Sequence, residues 1–351
     1  MTTADPSPAK VRSRPRKSFA ARGRERWNAL SGAQRRRLTG LLIFIAVLTL
    51  AFVSPLLSLM TYASGKELHS HILLVPFVSI YLLWINHREL PVDFKSSPGW
   101  GGALGAIGLA LLGGGWYWQH SSAPPGINDE HLLPVLSYVF LLAAGGFLFL
   151  GSRWMRAAAF PVAFLVFLVP MPDAMAHSLE TASQYASAEV ASWFFGIAGI
   201  PFLREGTVFQ LPGIMIQVAQ ECSGIRSSWV LFITSLIAAH MFLRSPWRKA
   251  IFVALVIPLG ILRNGIRILV ISWLCVEVSP DMIHHWIHHR GGPVFFALSL
   301  IPLFLLLWWF RRRESRSESR KNQGPGVSLA PGREGGGGGI DDQGARISHG
   351  S

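Results

Sequence analysis

Ile214-Met215-Ile216-Gln217-Val218-Ala219-Gln220-Glu221-Cys222-Ser223-Gly224-Ile225-Arg226 is where the chain changes character. Its first residues are strand-like, while residues 225–243 form an apolar run long enough to cross a bilayer as a helix. A thiol at that junction is a candidate nucleophile at a membrane surface. The chain has one other cysteine, Cys275, inside the apolar run 268–278, so a disulfide framework or a cysteine-rich zinc site has little to draw on.

Outward from this stretch the chain is built of similar apolar runs. Half of its 351 residues are hydrophobic, 15% are charged, and the mean hydropathy is +0.38, a balance foreign to soluble domains. The predicted fold class is an all-α polytopic membrane protein of about eight transmembrane helices, with a short extracytoplasmic β-hairpin before Cys222. The expected span cores are 41–60, 72–85, 100–118, 132–150, 157–169, 225–243, 250–266 and 294–310. Residues 268–278 are too short to span alone and read as re-entrant or interfacial.

The net charge of +13 is concentrated in residues 10–37 and 311–321, which flank the apolar body. That is the distribution of cytoplasmic anchors, and no base-stacking or groove-reading module accompanies it, so nucleic acid is not an expected partner while membrane lipid is. Residues 1–40 are rich in Arg, Pro, Ser and Ala and are expected to be disordered and cytoplasmic. Residues 311–351, basic and then glycine-rich, read as a flexible cytoplasmic tail, leaving 41–310 as the membrane body.

Lys and Arg in the short connections set the orientation. Arg88 with Lys95, Arg153 with Arg156, and Arg244 with Arg248 and Lys249 fall on the side of the basic ends, so both termini are predicted to be cytoplasmic. The same parity puts the 171–224 loop, the Arg263–Arg267 turn and the histidine-rich 281–292 loop on the outer face. Within the long loop, residues 179–196 have helical spacing, with Leu179, Ala182, Ala186, Val190 and Phe194 on one side. Two β-rich runs, 207–211 and 214–218, flank Pro212-Gly213 as a hairpin.

Three clusters carry candidate chemistry. The pKa of a cysteine falls near a helix N-terminus or a cation, and Cys222 has Gly224 or Ile225 opening a helix and Arg226 one turn on; the alternative is a small residue packing a helix end. Arg263 and Arg267 sit one turn apart at the end of an apolar segment, where charge is costly and a planar fork of donors suits a carboxylate or an oxyanion. Either arginine could instead snorkel to the interface, and Asn264 could orient Arg267 or cap the helix. Third, His284-His285-Trp286-Ile287-His288-His289 offers proton transfer near neutral pH, weak metal-ligand spacing, or an interfacial belt. His69 and His71, at the entry to the second span, are expected on the same outer face.

These residues resemble the exosortase and archaeosortase family of multi-pass membrane cysteine transpeptidases. The resemblance spans about residues 61–309 and rests on Ser70-His71, on Gly206 to Ser223 with Leu211-Pro212 and Val218-Ala219-x-x-Cys222-Ser223-Gly224, on Asn264-x-x-Arg267-Ile268, and on a late histidine before Gly292, Phe295 and Phe296. It implies a catalytic set of Cys222, Arg267 and His288, with His289 its neighbour in register and Ser223, Gly224, Arg226, Arg263, Asn264 and His71 supporting. It also implies exported protein substrates that end in a short motif, a hydrophobic helix and a basic tail, of the PEP-CTERM type. Cleavage would occur at the outer face of the inner membrane, with transfer to an acceptor amine and no cofactor. The rival expectation is a non-enzymatic assembly or export factor for surface polymers, in which Cys222→Ser would retain activity. A weaker third is a metal transporter using the histidine cluster.

Overall fold

The computed structural model describes residue 28 and residues 30–65, 67–121, 125–218, 225–277 and 292–322. It is mostly helical. Four helical segments are long and apolar enough to cross a membrane, His69–Arg88, Asn128–Phe149, Pro246–Val276 and Val294–Arg316. Counting two bent pairs as single spans raises that to six among the described residues.

The difference from eight expected spans has a compositional cause. The helix Ile225–Phe242 is short for a lone crossing. Pro98–Gln119 has 22 residues, but its glycines and aromatic residues hold its mean hydropathy down. The stretch expected as a span at 157–169 is two short helical pieces, Ala159–Phe164 and the 3₁₀ turn Leu165–Leu168, bent by 91° against the helix that follows.

The chain opens with α1 (Gly32–Ala51), which begins inside the segment expected to be disordered. Ser31 starts it with a capping box: its hydroxyl accepts from the Gln34 N–H, while the Gln34 side chain accepts from the Ser31 N–H at 2.8 Å. The helices α2 (Val53–Gly65) and α3 (Val75–Ile85) follow, joined by a 3₁₀ stretch, Glu67–Leu74. Then α4 (Pro98–Gln119) and α5 (Ile127–Phe149) form an antiparallel pair whose seam is glycine. Gly101, Gly108 and Gly115 are buried at seven-residue intervals, and a Cβ on Gly108 would lie 2.8 Å from Leu141 Cγ. Small residues at such intervals let two helix backbones approach closely in a bilayer.

Two short helices, α6 (Ser152–Ala157) and α7 (Ala159–Phe164), lead to α8 (Asp173–Ala198). This helix begins six residues before the expected 179. Its buried face is Ser187, Ala188, Ala191 and Phe195, one step round from the predicted stripe; Leu179 is exposed, and Val190 and Phe194 are half-buried. Gly199, at φ +69°, ends it.

A three-stranded antiparallel sheet comes next, in the order β1 (Leu203–Glu205), β2 (Val208–Leu211), β3 (Ile214–Gln217). The turn between β2 and β3 is Pro212-Gly213, with Gly213 at φ +79°, a geometry that needs glycine after a proline. Phe209, Leu211, Ile216 and Val218 share a buried cluster with Ala188, Ala191 and Phe195 of α8 and with Ile268. Arg204 pins β1 to α8 through Glu189 Oε2 at 2.6 Å.

The last helices are α9 (Ile225–Phe242), α10 (Pro246–Ala254), α11 (Val256–Glu277) and α12 (Gly292–Asn322). Residues 268–277 are not re-entrant: they continue α11 without a break, so Arg263 and Arg267 sit in mid-helix. The helix α12 likewise runs past Arg311 to Asn322, into the stretch expected as tail. The remaining tail, and residues 1–27, lie outside the described residues.

Candidate active site

The site is organised by α11, which is wedged between two neighbours. A Cβ on Gly265 would lie 2.5 Å from Val190 Cγ1, and one on Gly260 would lie 2.6 Å from the Ser228 hydroxyl. Glycine at these positions lets α8 close on one side and the first turns of α9 on the other. Between and beside them stand Arg263, Asn264 and Arg267.

Arg263 is 7% exposed and Asn264 2%. The Arg263 Nη2 donates to Ser228 Oγ at 3.3 Å. A guanidinium within a membrane segment carries a cost of about 2.5–3.5 kcal/mol on insertion scales, so it persists where a protein interior or a polar cavity receives it. The snorkelling reading therefore fails for Arg263, whose side chain is received within the protein by Ser228. Arg267, half-buried, is the next turn along the same helix.

The residue after Ser228 reaches the other way. Trp229 Nε1 donates to His71 Nε2 at 3.3 Å, and the two rings meet edge to face. That bond requires His71 Nε2 to be unprotonated, which makes the imidazole neutral with its proton on Nδ1. Adjacent residues at the start of α9 thus bridge Arg263 on α11 to His71 on the 3₁₀ stretch. Behind His71 lies a second polar layer. His69 Nδ1 is 3.2 Å from the Tyr62 hydroxyl, Tyr62 stacks on His131, and His131 Nε2 is 2.9 Å from the Ser58 hydroxyl. His69 and His131 are both buried.

Of the residues singled out in the sequence, Arg263 and His71 meet the first turns of α9, and Asn264 and Arg267 adjoin Arg263 on α11. Cys222, Ser223, Gly224, His288 and His289 lie outside the described residues, and Arg226 is described only as part of the α9 backbone. Ser228, Trp229, Tyr62 and His131 were not picked out beforehand. The available signal was weak but real: polar or hydrogen-bonding groups within an apolar run, as Ser228 and Trp229, or at the edge of one, as Tyr62 and His131. Among the described residues no group of three or more His, Cys, Asp or Glu is arranged to hold a metal ion.

Fold and site together define a multi-pass membrane protein with paired arginines held among its helices beside a histidine–tryptophan contact. The family model for transmembrane exosortases (Exosortase_EpsH) matches residues 61–305, and the chain belongs to that family of membrane sorting transpeptidases. No curated protein and no solved structure matches the chain.

Proposed function

We propose that this exosortase is a cysteine transpeptidase that cleaves C-terminal, PEP-CTERM-like sorting signals of exported proteins and passes the product to an acceptor amine. In this reading the body is 41–310, both termini are cytoplasmic, and the chemistry is at the outer face of the inner membrane. Eight crossings satisfy that parity if the bent α1–α2 pair, α4, the α7–α8 bend and α9 are counted with the four long apolar segments.

One observation carries the assignment of the site. The undescribed segment 219–224, with Cys222 in it, departs from Val218, buried in the same cluster as Ile268, and leads into Ile225, the first residue of α9. Ile268 is the neighbour of Arg267, and β3 touches α11. Both flanks of the thiol segment are therefore tied to the arginine-bearing helix by elements whose packing is already accounted for.

The proposed steps follow from that juxtaposition. The Cys222 thiolate adds to the scissile carbonyl. Arg267 donates to the oxyanion as it forms, a preorganised interaction worth about 3–4 kcal/mol in the transition state. As the tetrahedral intermediate collapses, His288 protonates the departing amine and the C–N bond breaks, leaving a thioester on Cys222. An acceptor amine attacks the thioester, the C–S bond breaks, and the thiol is restored. Arg263 and Asn264 hold the α11 surface in place, and His71 acts through Trp229 to fix the start of α9.

The test is the mass of a tail-bearing client protein in cells that carry the unaltered chain, Cys222→Ala or Cys222→Ser. Shortening of the client by the unaltered chain alone is expected. Equal processing by all three would sink the mechanism.

A further inference from the structure

The opposite, basic end of the molecule holds a cleft that the transpeptidase chemistry does not use. A chamber of about 630 Å³ is lined by Arg244, Lys249, Arg311, Asn86 and His240, with Glu314 and Glu89 as its acids. Glu314 is already engaged. Its carboxylate accepts the Arg244 and Ser245 N–H groups at 3.0 Å each and lies 3.7 Å from Arg248, with both side chains largely buried. Glu89 is exposed. Four cations, Arg244, Arg248, Lys249 and Arg311, thus stand in or beside the chamber against two carboxylates, Glu314 and Glu89.

Beside this chamber runs a second cavity of about 410 Å³, lined by Phe160, Leu236, Ala239, Val253 and Ala254. His240 and Lys249 belong to both cavities, and His240 stacks flat on Phe160 with ring centroids 3.8 Å apart. A cationic chamber thus continues into an apolar groove between helices. At the same end, the Arg312 guanidinium lies 5.0 Å from the Trp308 ring and that of Arg313 4.1 Å from Trp309, an aromatic and cationic girdle of the kind found at the membrane–water boundary.

We propose that this cleft binds one anionic phospholipid, with its phosphate among Arg244, Lys249 and Arg311 and an acyl chain along the groove between Phe160 and Ala254. Basic pockets between membrane helices recognise acidic headgroups, and each Lys or Arg near the surface adds severalfold to the affinity. A free anion would satisfy the chamber but leaves the groove without a purpose. The amphipathic continuity at His240 and Lys249 is what selects a lipid.

The full chain, purified in a neutral detergent, is titrated by native mass spectrometry with phosphatidylglycerol, phosphatidylethanolamine and inorganic phosphate. Phosphatidylglycerol is expected to bind about tenfold or more tighter than phosphatidylethanolamine. The double variant Lys249→Gln/Arg311→Gln should erase that preference, and Ala254→Trp should weaken both lipids. Arg311 and Ala254 are exposed, so each single variant is compatible with the fold; if the double variant unfolds, Arg311→Gln alone carries the test. Equal binding of the two lipids, or a preference that survives loss of the cations, overturns the proposal. Phosphate binding with lipid affinity insensitive to Ala254→Trp overturns it too, leaving an anion site only.

Discussion

Two helix pairs in this protein are closed by the same device and serve different ends. The α4–α5 pair has Gly101, Gly108 and Gly115 beneath Leu148, Leu141 and Leu133, and its polar contacts are neutral: the Ser137 hydroxyl donates to the Gly108 carbonyl in mid-seam, and the Gln119 amide donates to the Glu130 carbonyl at its end. The α8–α11 pair has Gly265 beneath Val190 and Phe194, with Arg263, Asn264 and Arg267 on the adjoining turns. Close approach of backbones through glycine is therefore packing, not function, in itself. What separates the second pair is the charge that α11 keeps beside its seam, where Arg263 turns to Ser228 of α9 despite the cost of burial.

The sharpest way to break this contrast is Arg267→Ala. On the proposed mechanism it should slow client processing about 100- to 1,000-fold, with the protein still inserted and folded, as read by quantitative mass spectrometry of the client against protein level. A loss under tenfold would remove Arg267 from the transition state. Next comes valine at the two seams. Gly265→Val and Gly108→Val both overfill a close contact, and each should cost about 1–3 kcal/mol of stability by thermal unfolding in detergent. Only Gly265→Val should also lower processing per folded molecule, since it pushes α11 away from α8. If Gly108→Val lowers it equally, the two seams are not functionally distinct.

The smallest effects come from single hydrogen bonds. Trp229→Phe keeps the ring but removes the donor to His71, and Ser137→Ala removes the donor to Gly108; each bond is worth about 1 kcal/mol net. Trp229→Phe is expected to slow processing several-fold, while Ser137→Ala changes only the unfolding midpoint. Matched rates for the two variants would make the His71–Trp229 contact purely structural.

The membrane class was legible because long apolar runs admit few other outcomes, and the paired arginines were legible as charge out of place. Their setting was not. Arg267 was read as the end of one segment and Ile268 as the start of another, because a charged residue resembles a boundary when nothing is known of what receives it. In the fold α11 runs through it, since α8 and α9 supply polar and close-packed surroundings. The Trp229–His71 contact joins residues 158 apart, and no local period signals a pairing of that kind. The buried stripe of α8 was displaced by one residue for a related reason. Small residues, Ser187, Ala188 and Ala191, face the core because the helix is closely approached there, and hydropathy favours larger neighbours.

The glycines of α4 also bear on how the protein is made. They bring α4 close to α5, and they leave along α4 a face without side chains of its own, which the leucines of α5 cover. During synthesis α4 emerges before the partner that covers it. Its packing should therefore be completed only when α5 arrives, and truncation between them would leave the glycine face of α4 uncovered.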